Sequence, residues 1–166
     1  MRDSVKALVV TLSLAGAACG SSGGGKDLAK FIGVWGQPTG TFVETCPGNP
    51  AGGGTSQVTG SETWSMGSTS DLVQTITKLN DCAFHANVSA NTATGAPAGQ
   101  MCTVQTSLAN GDSLTAVLTF TTYNFVVSPD GLTAMENFSG SEMDTDNTTL
   151  QTGTCSFTQS ASYTKQ

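Results

Sequence analysis

Four stretches of this chain alternate apolar and polar side chains with a period of two. Phe84, Ala86, Val88 and Ala90 are interleaved with His85, Asn87 and Ser89, and Val104, Thr106 and Leu108 with Thr103, Gln105 and Ser107. Leu114, Ala116, Leu118 and Phe120 mark a third stretch, and Cys155, Phe157, Ala161 and Tyr163 a fourth. Successive side chains of an extended chain point to opposite faces, so this pattern requires half-buried antiparallel strands. No segment sustains helical spacing, although residues 26–31 have the spacing of a single turn. Charged residues make up only 11% of the chain while Thr, Ser and Gly abound, a composition that disfavours helix and suits a pleated sheet.

The pattern predicts about eight strands: 32–36 running on into 39–46, 56–66, 71–79, 82–90, 100–108, 113–121, 123–127 with 132–140, and 151–164. Between them stand turn-forming clusters, notably residues 47–54, 95–99, Asn110-Gly111 and 128–131. The expected fold is all-β, a small antiparallel up-and-down barrel of about eight strands, with a β-sandwich as the alternative.

Gly111-Asp112-Ser113-Leu114 spells the block after which a large family of esterases and lipases is named. That chemistry needs a histidine base downstream of the serine. The only histidine, His85, lies upstream, and a serine without a base is inert at neutral pH. Asn110-Gly111 is instead a strong hairpin signal, which makes Ser113 the first residue of a strand. The chain is therefore expected to have no catalytic residues. His85 falls on the polar side of its strand and reads as a solvated imidazole. Asp144, Asp146 and Asn147 lack the loop pattern of a calcium site and read as a solvated acidic turn.

Five cysteines are present, Cys19, Cys46, Cys82, Cys102 and Cys155. The last four are widely spaced, without the clustering or the histidines that zinc requires, so neither metal nor cofactor is expected. An even set in an exported chain reads as disulfides. Folding the chain about Thr92 sets Cys82 opposite Cys102, with Phe84 opposite Gln100 and Val88 opposite Ala96. Cys46 and Cys155 remain, and their bond would join the first strand to the last, as closure of a barrel requires.

Export itself is inferred from the N-terminus. Arg2 and Lys6 precede the apolar run of residues 7–15, and Gly16-Ala-Ala-Cys19 ends it with small residues. This resembles a bacterial lipoprotein signal peptide, which implies removal of residues 1–18 and lipidation of Cys19. The run is too short for the roughly 20 residues of a membrane-spanning helix. Gly20 to Gly25 reads as a flexible tether, so 19–30 forms the anchor segment and 31–166 a single disulfide-linked domain. In such lipoproteins an Asp after the cysteine signals retention in the inner membrane. Position 20 is Gly, so the resemblance implies the outer membrane, at its periplasmic face or at the cell surface. Without residues 1–18, four lysines stand against eleven acids, a net charge of −7 with no arginine. That balance excludes nucleic acid as a partner, because its phosphates need a basic surface.

Gly33-Val34-Trp35 resembles the Gly-x-Trp start of the first strand in lipocalins, where the Trp closes the base of a ligand-binding barrel. The chain also resembles the small cysteine-containing lipoproteins plentiful in myxobacteria, through Cys19-Gly-Ser-Ser-Gly, Phe31-Ile-Gly-Val-Trp35, Gly99-Gln-Met-Cys-Thr103 and Gly153-Thr-Cys-Ser-Phe-Thr158. That resemblance implies location and architecture. Two functions are compatible with it. One is binding of a small apolar molecule inside the barrel, with Trp35, Glu62 and Trp64 as candidate lining residues. The other is an interaction module for envelope proteins, with a filled core. Glu62 shares a face with Val58, Trp64 and Met66, and reads either as a carboxylate inside a cavity or as a rim or bulge position.

Overall fold

The computed structural model describes residues 26–47, 53–76, 82–107 and 113–166. The expected signal segment, Cys19, the tether up to Gly25 and the Asn110-Gly111 turn lie outside the described residues. A short 3-10 turn, Leu28–Lys30, leads into ten strands. These are β1 (Gly33–Thr45), β2 (Gly54–Gln57), β3 (Glu62–Met66), β4 (Leu72–Ile76) and β5 (Cys82–Ser89), then β6 (Thr92–Gly95), β7 (Gln100–Ser107), β8 (Ser113–Val127), β9 (Thr133–Asp146) and β10 (Thr152–Lys165). The fold is all-β, with every strand pairing antiparallel.

Eight strands form a ring. Hydrogen bonding runs from β1 through β3, β4, β5, β6, β8, β9 and β10, and β10 returns to β1. The ring departs from a regular barrel because two of its columns are split. β1 pairs with β3 over Gly33 to Trp35 and with β2 over Thr41 to Glu44. β8 pairs with β6 near Phe125 and with β7 from Ser113 to Phe120. At the end holding Trp35 and Phe125 the circuit is complete, and we call this the base. At the other end, the mouth, β2 and β7 pair only with β1 and β8 among the described residues, so the wall is open between them.

The split columns correct two sequence expectations. The strand expected over 56–66 is interrupted at residues 58–61, where Gly60 adopts a φ of 107° that L side chains rarely reach. The hairpin expected to fold about Thr92 turns instead at Ala90 and Asn91, so that Val88 faces Ala93 rather than Ala96. Cys82 and Cys102 are nevertheless bonded, as are Cys46 and Cys155. No backbone ladder joins β5 to β7; the Gln100 amide bridges them, accepting from His85 N–H and donating to His85 C=O, both at 2.7 Å. Conversely, the strands expected over 113–121 and 123–127 are one strand. Its register against β9 shifts between Phe120 and Thr122, and this one-residue bulge brings both Phe120 and Tyr123 inward.

Aromatic side chains fill the base and middle of the barrel. Phe125 lies 5.2 Å from Trp35 and 5.3 Å from Trp64 between ring centroids, and Phe84 lies 4.3 Å from Tyr123 and 5.1 Å from Phe120. These separations give the edge-on and tilted contacts favoured by the ring quadrupole. Gly140 makes room for the neighbouring ring: a Cβ there would stand 2.5 Å from Phe157 Cζ and 2.1 Å from Thr119 O. The Trp35 indole N–H donates to Phe31 C=O at 2.8 Å, tying the N-terminal turn across the base. Lys165 lies 5.4 Å from the centre of the Trp35 ring, and its ammonium also donates to the carbonyls of Ala29 and Lys30.

Candidate functional site

A cavity of about 330 Å³ lies inside the barrel toward the mouth. Its walls are mainly apolar, with Phe42, Val58, Ile76, Val104, Leu118 and Phe120 among them. Glu62, Gln159 and Tyr163 also line it, and Glu142 is its acid nearer the mouth. Of the three expected lining residues, Glu62 is in the wall. Trp35 and Trp64 are not: both are fully packed among the aromatics of the base. Met66, expected on the same face as Glu62, is exposed at the end of β3.

Glu62 belongs to a buried polar cluster drawn from five strands. It is 5% exposed, and Gln74 and Glu136 are 0% exposed. Tyr163 O–H lies 2.6 Å from Glu62 Oε1 and 3.1 Å from Glu136 Oε2. Gln74 donates its amide N–H to Glu62 and, at 3.3 Å, to Glu136. Tyr123 O–H and the Gln159 amide donate to Glu136 as well. Burial, followed by the charge of Glu136, holds the Glu62 carboxyl well above the usual carboxylate range. Burial also raises Glu136, against the opposing pull of its hydrogen-bond donors. The phenols of Tyr123 and Tyr163 are pushed up by burial first and by the carboxyls second, so both act as donors at neutral pH. Glu62 is thus the carboxyl that holds its proton more firmly, and the fully buried Glu136, with hydrogen-bond donors opposing its shift, holds one less firmly.

A second acidic group stands nearer the mouth. Glu142 on β9 interacts with Glu44 on β1 and Asp144 on β9, and burial together with these neighbours raises its carboxyl to about 8. Neither cysteine beside this group is a thiol, because Cys46 and Cys155 are bonded to each other. The described lysines are engaged elsewhere: Lys26 with Asp71, Lys30 with Asp27, and Lys165 at the base.

The remaining sequence candidates lie apart from the cavity floor. Ser113 begins β8, and its hydroxyl accepts from the Asn147 amide at 2.9 Å. His85 is half-buried, with Nδ1 3.2 Å from Ser70 Oγ. Asp146 accepts from Thr148 N–H and Thr149 N–H, forming a tight acidic turn. Sequence reading missed Glu136, Gln74 and Tyr123 as a cluster with Glu62. The signal available was a polar residue at an inward position of an alternating strand, since Glu136 stands between Ala134 and Phe138 on the buried face. Comparison with protein-family models, with curated proteins and with solved structures found no match.

Proposed function

We propose that this protein is a non-catalytic binding protein that takes a small, largely apolar molecule into its barrel. A lipid on Cys19 would hold it at the outer membrane. The observation that carries the reading is the internal cavity. At about 330 Å³, with apolar walls and a few convergent polar groups, it has the size and chemistry of a small-molecule site. The Gly-x-Trp start supports the same reading, and Trp35 serves it as a plug at the base rather than as a ligand contact.

The test uses the chain exported with Cys19→Ala and oxidised, so that no detergent competes for the interior. The small neutral apolar fluorophore naphthalene is expected to bind one-to-one. Ala116 is a buried small residue in the cavity wall. A116F is expected to fill the cavity and weaken binding at least tenfold. Because overpacking disturbs folds, V104F at a half-buried wall position provides a second blocking variant. Absence of fluorophore binding by the unfilled protein would overturn the proposal. The interaction-module reading, in which surface contacts carry the function, would then stand in its place.

A further inference from the structure

We infer, resting on the binding reading above, that the ligand is cationic: an apolar molecule with an ammonium group seated at Glu62 and Glu136. Five strands supply polar side chains to the buried cluster beneath the cavity, of which Glu62, Gln159 and Tyr163 reach its wall, and those side chains orient two carboxyls. All the donors found there are neutral: the phenols of Tyr123 and Tyr163 and the amides of Gln74 and Gln159. Buried carboxyls elsewhere in proteins are usually paired with a cation. Here the described lysines are engaged outside the cavity, and the chain beyond residue 18 has no arginine. Glu62 reaches the cavity wall while Glu136 lies behind it, so an incoming ammonium would meet Glu62 first.

Glu44 and Asp144 put charge of the same sign near the mouth, beside Glu142, whose own carboxyl is raised to about 8. Negative groups along one low-dielectric passage attract cations and repel anions, so the route in and the floor select for the same charge. The apolar walls between them select for a hydrocarbon body. Binding of the ammonium would favour the doubly ionised pair, and the proton held by Glu62 would leave to solvent. Tyr123 on β8, Tyr163 on β10 and Glu136 on β9 are the titratable groups facing Glu62, and the phenols stay protonated throughout.

The cavity has room for about ten non-hydrogen atoms, taking about 30 Å³ for a water-sized group. Octylamine, 1-octanol and octanoate match that size and differ in the head group. Titration calorimetry on the oxidised chain with Cys19→Ala is expected to show octylamine binding at least tenfold tighter than octanol, and octanoate weakest. Repeating the octylamine titration in two buffers of different ionisation enthalpy is expected to reveal proton release. E62Q is expected to reduce the preference for octylamine over octanol at least fivefold. Equal binding of amine and alcohol, or preference for octanoate, would overturn the cation inference and leave the binding reading intact. Failure of all three ligands to bind would overturn both. The ligand series on the unsubstituted floor decides the matter even if E62Q does not fold.

Discussion

Glu142 gives the clearest pH dependence at the scale of single residues. Its carboxyl is raised to about 8 by partial burial and by its acidic neighbours Asp144 and Glu44, so the folded chain holds that proton more tightly than the unfolded chain does. Such a group supports the fold while protonated. Its contribution is complete below the ordinary carboxylate value of about 4.5 and is lost as pH rises toward about 8. Glu62 and Glu136 are raised in the same direction, so they add to the slope. Chemical denaturation is expected to show stability falling between pH 4.5 and pH 8, with E142Q flattening part of that fall. An unchanged slope in E142Q would show that Glu142 does not titrate as described. Little of this was legible in the sequence. Alternation put Glu62 on one face with Trp64 but left open whether it entered a cavity or sat at a rim or bulge, and which acids meet depends on how β3, β9 and β1 curve round to face one another. Trp35 and Trp64 illustrate the converse: their size marked them as interior, yet only packing decides whether a large ring lines a cavity or plugs the base.

Among the elements, the strands were legible where one face is buried, and their joints were not. Period-two alternation located β5, β7 and β10 to within a few residues, and split β8 in two. It missed the bulge near Thr121, because an inserted residue breaks the alternation locally and looks like a strand end. It also missed β6, whose four residues carry too short a pattern to register. The cysteines succeeded where the hairpin register failed, since a disulfide needs only two sulfurs within reach and tolerates a shifted turn. The two bonds close sequence separations of 109 and 20 residues. In the chain-entropy model these are worth about 5 and about 3 kcal/mol respectively. Cys46–Cys155 joins the first strand to the last beside the open mouth, and Cys82–Cys102 ties β5 to β7 where no ladder does. The double variant C46S/C155S is therefore expected to lose more stability than C82S/C102S in urea denaturation. The opposite order would show that local strand linkage outweighs the long loop.

At the scale of the whole molecule, charge and architecture agree. A chain with a net charge of −7 after residue 18 keeps acids at the interior of its mouth and on the floor of its cavity, and places its described lysines elsewhere. The ring closes fully at the base, where Trp35, Phe125 and Trp64 fill the section, and opens where β2 and β7 leave the wall incomplete. One end is thereby built for rigidity and the other for access. The sequence carried the closure, through strand count and Cys46–Cys155, but not the asymmetry, which follows from two split columns. Native mass spectrometry of the protein purified oxidised from the producing cells, followed by denaturation, asks whether this interior holds a small molecule. The expected result is a chain with both disulfides formed, carrying one small amine-bearing molecule that is released on unfolding. A chain that emerges bare, and stays bare after incubation with a small-molecule extract of the same cells, would contradict it.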